Sequence, residues 1–167
     1  SKIGALANFV NPMFQPAQIR DRINETEASL LFVLDKLHPN ITSILSETCI
    51  QQVIVLPATN SLPAPMRFLA SLKEAPDAAL NHELKSNASY CLWTKFIQSG
   101  TQYTAPTEAS YQKDLPVVMV YSSGTTGASK GIVLTNDGIN ATIAQYETGF
   151  PEVSRQKKFL HIVPIWF

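Results

Sequence analysis

The segment that most constrains the fold of this chain lies at residues 115–131 and reads LPVVMVYSSGTTGASKG. Its first part, residues 117–121, is a short apolar run without alternating polar residues. Such a run is typical of a strand that is buried on both faces of a parallel sheet. A stretch of small residues follows it directly and ends in a lysine. The segment therefore predicts a buried strand that leads into an irregular loop.

The loop at residues 122–130 has the composition of a phosphate-binding site. Gly124 and Gly127 allow backbone conformations that are closed to other residues. Small side chains leave backbone N–H groups free to converge on an anion. Lys130 supplies a positive charge for the same oxygens. The candidate phosphate-binding residues are Ser122, Ser123, Gly124, Thr125, Thr126, Gly127 and Lys130.

The spacing of this loop excludes two common nucleotide-binding motifs. The P-loop needs a lysine directly after its second glycine, whereas Ala128 and Ser129 separate Gly127 from Lys130. The loop also lacks the G-x-G-x-x-G pattern. A serine nucleophile is disfavoured because no G-x-S-x-G elbow is present.

The rest of the sequence predicts an alternation of strands and helices. Apolar runs predict further strands at residues 5–10, 30–34, 53–56, 132–134 and 158–164. Proline or N-cap signals and helical spacing predict helices that begin near Pro16, Pro39, Leu92 and Asp137. In the first helix, Ile19 and Ile23 form the apolar face, and Arg20, Asp21 and Arg22 point to water. Four prolines predict that residues 57–89 are irregular, apart from a short helix at residues 68–73.

This alternation predicts an α/β fold with a mainly parallel β-sheet flanked by helices. With 13 basic and 13 acidic residues, the chain has no net charge that would attract nucleic acid or a membrane surface. No apolar run is long enough for a membrane span, and no signal-peptide pattern is present, so we expect a cytoplasmic protein. Cys49 and Cys91 lack metal-ligand spacing and are expected to be buried free thiols. The three histidines, His38, His82 and His161, have no ligand partners in sequence and are interpreted as structural.

Residues 119–131 resemble the signature of the adenylate-forming superfamily, which contains acyl- and aryl-CoA ligases, peptide-synthetase adenylation domains and luciferases. That signature is an apolar strand followed by Ser-Gly-Thr-Thr-Gly-x-Pro-Lys-Gly. The chain departs from it at Ser129, where proline is usual. The resemblance extends upstream to Lys-Ile-Gly-Ala at residues 2–5 and Asn-Pro at residues 11–12. It covers essentially the whole chain.

The resemblance implies an enzyme that activates a carboxylic acid with ATP to an acyl-adenylate and transfers the acyl group to coenzyme A. It implies Lys130 and Thr126 as catalytic residues. Thr125 or Thr126 would lie near the phosphates and Mg²⁺. Because Mg²⁺ prefers phosphate oxygens and water, no dense cluster of protein ligands is expected. The implied partners are the acid, ATP and CoA, without nucleic acid.

Two further positions depart from the family pattern by replacing a histidine, and one of them bears on the acid substrate. Phe167 occupies the place of a family histidine that lines the acyl pocket, and an aromatic there suits an apolar acid. Asn136 also replaces a usual histidine.

The ribose-binding aspartate and the C-terminal lysine of the family are absent from the sequence. We therefore expect residues 1–167 to be one α/β subdomain of a longer domain, inactive alone and self-associating as a dimer.

Three alternatives remain open from the sequence. A peptide-synthetase-type adenylation domain would use the same chemistry with an amino acid and a carrier protein. A non-catalytic phosphate- or nucleotide-binding module, or a purely structural α/β domain, would retain the loop without the reaction.

Overall fold

A computed structural model describes residues 2–66, 69, 78–105, 107–122 and 129–150. The chain divides into two compact units. The continuous unit is Pro12–Thr104, and the split unit combines Ser1–Asn11 with Ala105–Phe167. The strands are β1 (Ala7–Asn8), β2 (Leu30–Leu34), β3 (Gln52–Leu56), β4 (Tyr90–Leu92), β5 (Pro116–Ser122) and β6 (Lys130–Thr135). The helices are α1 (Pro16–Glu25), α2 (His38–Thr42), α3 (Ala78–Ser86), α4 (Trp93–Gly100) and α5 (Asn136–Gly149).

The continuous unit is built on a parallel sheet in the order β2-β3-β4. The central strand supplies the core, since Val53, Ile54 and Val55 are all at most 2% exposed. Helix α1 buries Ile19 and Ile23, which confirms the apolar face predicted from their spacing. Burying these residues removes apolar surface from water and stabilises the continuous unit.

One residue of α1 differs from the sequence prediction. Arg22 was expected to point to water, but its side chain is only 17% exposed. Its guanidinium carbon lies 6.0 Å from the centre of the Phe14 ring and a guanidinium nitrogen lies 3.9 Å from a carboxylate oxygen of Glu25. The aliphatic stem of arginine can cover apolar surface while the charge stays near a partner, so charge alone does not place it in solvent.

The stretch at residues 57–89 is more regular than predicted. Helix α3 (Ala78–Ser86) lies within it, and strand β4 begins at Tyr90. Helix α3 could not be predicted from apolar periodicity. Leu80 is buried in it, but a single buried position does not define a helical repeat. Leu92 was assigned to the next helix but ends β4 instead. The short helix predicted at residues 68–73 lies outside the described residues except for residue 69.

The split unit contains a second sheet in the order β1-β5-β6. Strand β1 is parallel to β5, whereas β6 is antiparallel to it. In β5, Val117, Met119 and Tyr121 are buried, while Val118 and Val120 are half-buried. The expectation that this strand is buried on both faces is therefore wrong. An antiparallel return to β6 needs no crossover helix, so this connection places no helix over the second face.

Gly4 has a structural reason within the Lys-Ile-Gly-Ala segment. Its φ is +74°, and a Cβ added there would lie 3.1 Å from the Cβ of Ala109. The neighbouring carbonyl of Lys2 accepts a hydrogen bond from the Ala109 N–H at 2.8 Å. Only glycine adopts this left-handed conformation at low cost while the two segments stay this close.

The fold class predicted from the sequence is confirmed. Three strand pairs, β1/β5, β2/β3 and β3/β4, are parallel, and helices accompany the sheets. Thr135 is also confirmed as an N-cap, because its Oγ1 accepts a hydrogen bond from the Gly138 N–H at 3.1 Å. None of the helices in the described part of the chain is long and apolar enough to cross a membrane.

Candidate functional site

The β5–β6 hairpin brings together the two ends of the predicted phosphate loop. Ser122 is the last residue of β5, Lys130 is the first residue of β6, and the two are directly paired. The apolar pattern of the sequence predicts that Lys130 lies in the loop and that the strand begins at residue 132. The antiparallel ladder extends further than the apolar residues do, because backbone pairing does not require an apolar side chain. The position of the Lys130 backbone is therefore set by the sheet.

Ser122 and Lys130 project to the same face of the hairpin. Directly opposed residues of an antiparallel pair share a face, with their Cβ atoms about 4.5–5.5 Å apart. Along β5 this is the face of Val118 and Val120, which is the less buried one. The Lys130 side chain is exposed and Ser122 is half-buried. A hydroxyl and an ammonium group thus begin at neighbouring points beside the connecting segment.

Several predicted site residues lie outside the described part of the chain. They are Ser123, Gly124, Thr125, Thr126, Gly127 and Phe167. The strand predicted at residues 158–164 also lies outside it. The structure consequently brings together Ser122 and Lys130, and the roles of all the predicted site residues stay predictions.

A second polar cluster lies at the opposite end of the hairpin. This cluster is not predicted from the sequence. Asp137, at the start of α5, accepts hydrogen bonds from the Tyr111 hydroxyl at 2.9 Å and from the Asp114 N–H at 2.7 Å. The Asn136 N–H also donates to the Leu115 carbonyl at 2.9 Å. These contacts, here called the Asp137 cluster, tie the segment before β5 to the helix after β6. An aspartate in the first turn of the helix, two residues after the N-cap threonine, was the available signal.

The hydrogen bonds of this cluster shift two pKa values. The Asp114 backbone N–H, and then the Tyr111 hydroxyl, hold the pKa of Asp137 below its usual value, because both stabilise the carboxylate. The same bond to Asp137 raises the pKa of Tyr111, because the hydroxyl is held as a donor. Folding therefore favours the ionised form of Asp137.

We expect Asp137→Asn to lower the free energy of unfolding at neutral pH. A carboxyl group whose pKa is depressed in the folded state stabilises above its unfolded pKa of about 3.9. That contribution is lost as pH falls through the folded pKa. The difference between wild type and Asp137→Asn should thus be largest at neutral pH and shrink below about pH 4. Urea unfolding measured across this range tests the expectation.

Glu108→Gln is the matched control, because Glu108 is also an exposed acid of the split unit. It should leave the pH dependence of unfolding unchanged. A stability difference for Asp137→Asn that stays constant down to pH values well below 4 would contradict the assigned linkage.

The described histidine and cysteine residues, which exclude His161, form no metal-binding group. Within the described ranges, no group of three or more histidine, cysteine, aspartate or glutamate residues could hold a metal ion. His38 is 1% exposed, and its ring lies 5.4 Å from that of Tyr90, as expected for a core residue. Cys49 and Cys91 are free thiols, but Cys49 is exposed and Cys91 is half-buried. The expectation that both are buried is wrong.

Comparison with protein families identifies the family of this chain. The family model for the AMP-binding enzymes matches residues 1–167. The chain belongs to the AMP-binding enzyme family.

Curated relatives are CoA ligases. The chain is 23% identical over 164 residues to a long-chain-fatty-acid–CoA ligase of Bacillus subtilis. The aligned region covers 98% of this chain and 29% of that ligase. It is 26% identical over 155 residues to 4-coumarate–CoA ligase 2 of Solanum tuberosum. The aligned region covers 89% of this chain and 22% of that ligase. The chain thus spans less than a third of the length of these relatives.

Solved structures with the same fold are adenylate-forming enzymes. The anthranilate CoA ligase AuaEII, in complex with anthranoyl-AMP, has a TM-score of 0.63 and 22% identity, and covers 87% of this chain and 23% of its own. The adenylation domain of a carboxylate reductase from Mycobacterium chelonae has a TM-score of 0.60 and 19% identity, and covers 97% of this chain and 23% of its own. At these identities the likeness concerns the fold.

Proposed function

We propose that the whole protein is an AMP-forming acid–thiol ligase that activates a carboxylic acid with ATP and transfers the acyl group to coenzyme A. One observation carries the proposal. The family motif SSGTTGASKG begins at Ser122, and its lysine, Lys130, is the residue that pairs with Ser122 across the two strands. Membership of the AMP-binding family and the CoA ligases among the relatives support the same reaction class.

In the proposed first step, a carboxylate oxygen of the acid attacks the α-phosphorus of ATP. The bond from that phosphorus to the bridging oxygen breaks, and pyrophosphate leaves with the bonding electrons. The Lys130 ammonium would donate hydrogen bonds to the oxygens of this leaving group and offset its growing negative charge. The hydroxyls of Ser122, Ser123, Thr125 and Thr126, with backbone N–H groups at Gly124 and Gly127, would hold the same phosphates.

The exposed start of β6 suits this role for Lys130. Its backbone is held in the ladder opposite Ser122, while its side chain is exposed. A fixed backbone with a mobile charged tip can follow a phosphate group as it departs. In the second proposed step, the CoA thiolate attacks the acyl carbon and AMP leaves.

Mg²⁺ and the acid complete the proposed site. When bound, Mg²⁺ would neutralise part of the phosphate charge, with Thr125 or Thr126 nearby. In this proposal the metal is held mainly by phosphate oxygens and water, which Mg²⁺ prefers as ligands. We also propose that Phe167 lines an acyl pocket for an apolar acid.

Other features of the whole protein are proposals of the same kind. They are a cytoplasmic location, residues 1–167 as one α/β subdomain, and self-association of this chain as a dimer. A monodisperse monomer in light scattering at high concentration would contradict the last of these.

The second candidate is a peptide-synthetase-type adenylation domain. Its support is that an adenylation domain shares the fold at a TM-score of 0.60, so the fold alone does not separate the two. The acceptor does, because a CoA ligase forms acyl-CoA whereas an adenylation domain loads a carrier-protein thiol. A non-catalytic phosphate-binding module would form neither product.

The test is acid-dependent exchange of labelled pyrophosphate into ATP by the full-length protein, with a panel of carboxylic acids. We expect exchange with at least one apolar acid, and acyl-CoA when coenzyme A is added. Exchange with transfer only to a carrier protein would favour the second candidate. Phosphate binding without exchange for any acid would favour the non-catalytic module. The isolated 167-residue chain is expected to be inactive in the same assay.

A further inference from the structure

Strand β6 depends on its pairing with β5, because it has no buried residue of its own. All its residues, from Lys130 to Thr135, are exposed or half-buried. Among the described strands, β6 pairs with β5 and lies at the edge of its sheet. Burial of alternate side chains normally fixes the register of a strand, since a slip by one residue would move them to the other face. In β6 that constraint is weak, so the position of Lys130 depends on the side chains of β5.

The buried face of β5 anchors the hairpin to its core. The buried residues are Val117, Met119 and Tyr121, each at most 7% exposed. Of these, Tyr121 lies nearest the loop and directly precedes Ser122. It is directly paired with Gly131, the residue after Lys130. The Tyr121/Gly131 pair is therefore the last pair on the buried face before the loop begins.

In the Tyr121/Gly131 pair, a single side chain provides the packing. Glycine has no side chain, so across the two strands only Tyr121 contributes a buried group at this point. An aromatic residue directly across from a glycine on an edge strand helps to fix the register of the pair. Ser122 and Lys130 project from the opposite face, one position along each strand. The packing of Tyr121 thus bears directly on how Lys130 is placed.

We propose that Tyr121 is a positioning residue for the ligase reaction. Its ring covers Gly131, keeps the last pairs of the ladder closed, and so holds the Lys130 backbone opposite Ser122. Without the ring, this end of the hairpin opens and the ammonium group starts from a shifted point. A shift of about 1 Å in a reacting group can cost about 10²-fold in rate. The inference rests on the role proposed for Lys130 and adds a residue that acts through it.

The test compares pyrophosphate exchange by the full-length protein and three variants, well below every melting temperature. Tyr121→Leu removes the ring and is expected to lower pyrophosphate exchange by about 10–10²-fold. Tyr121→Phe keeps the ring and should retain nearly the wild-type rate. Val117→Ala is the matched control, because Val117 is buried on the same face of β5, four residues farther from the loop. It should lower the melting temperature and leave the rate unchanged.

A double-mutant cycle with Lys130→Ala separates positioning from a general loss of structure. If Tyr121 acts through Lys130, Tyr121→Leu should lower pyrophosphate exchange much less when residue 130 is already alanine. A purely structural effect would lower it by the same factor in both backgrounds. Amide hydrogen exchange of β6, followed by mass spectrometry, gives a readout that is independent of activity. It should be faster in Tyr121→Leu than in wild type or Val117→Ala.

Three results would overturn the inference. They are equal pyrophosphate exchange by Tyr121→Leu and Val117→Ala, an equal loss for Tyr121→Leu in both Lys130 backgrounds, or unchanged amide hydrogen exchange of β6 in Tyr121→Leu. If circular dichroism shows that Tyr121→Leu does not fold, Tyr121→Ile takes its place, because a β-branched side chain suits a strand. Failure of the ligase proposal is distinguishable. Wild type would then show no pyrophosphate exchange with any acid, while amide hydrogen exchange would still test the role of Tyr121.

Discussion

Lys130→Ala is expected to lower acid-dependent pyrophosphate exchange by the full-length protein by about 10²–10³-fold. Removal of one preorganised donor to a developing negative charge has an effect of this size in other enzymes. The melting temperature should stay within about 1–2 °C of wild type, since exposed substitutions cost little stability. Lys130 joins the sheet through its backbone and exposes its side chain, and alanine preserves the backbone pairing.

Two comparisons sharpen this expectation. Lys85→Ala removes an equally exposed lysine from α3 and should leave exchange unchanged. Lys130→Arg keeps the positive charge but changes its shape and reach, so it should recover part of the activity. If the melting temperature of Lys130→Ala falls steeply instead, the lysine is structural and its proposed catalytic role is wrong.

Ile54→Ala is expected to destabilise the continuous unit by roughly 2–5 kcal/mol. Ile54 is 0% exposed and lies on the central strand, paired with Phe32 on one side and Cys91 on the other. Truncation removes buried methyl groups and leaves a cavity that close-packed neighbours fill only in part. The free energy of unfolding, measured with urea and followed by far-UV circular dichroism, gives the loss.

The control for this substitution is Ile97→Ala. Ile97 belongs to the same unit but is 51% exposed, so its truncation should change the free energy of unfolding far less. Ile54→Val should fall between the two, at about 0.5–1.5 kcal/mol. Equal losses for Ile54→Ala and Ile97→Ala would mean that β3 is not the centre of this core.

The elements that could be predicted from the sequence are those with a strong local signal. Strand β2 was predicted at its observed bounds, because five consecutive apolar residues leave little choice. Helix α1 was predicted from a proline at its start and from Ile19 and Ile23 one turn apart. The N-cap Thr135 followed from capping chemistry alone. Each of these signals lies within a few residues.

The elements that were missed depend on contacts distant in sequence. Strand β4 has three residues and exists because Tyr90, Cys91 and Leu92 pair with β3. The Asp137 cluster joins Asp137 to Tyr111 and Asp114, which no local pattern relates. The candidate phosphate loop is a continuous motif and can be recognised from the sequence alone, but the roles of its residues stay predictions. The direct pairing of Ser122 with Lys130 could not be predicted, because it depends on the antiparallel register of β5 and β6.

The pairing of β1 with β5 sets an order for folding during synthesis. Ala7 pairs with Val118, so β1 leaves the ribosome long before its partner strand exists. Every residue of the continuous unit, Pro12–Thr104, is made in that interval, and domains generally fold as units while the chain emerges. The sheet that carries Lys130 can only close afterwards, and its closure joins the two ends of a long loop at an entropic cost. We therefore expect the nascent chain to acquire the β2-β3-β4 sheet before it acquires the β1-β5-β6 sheet.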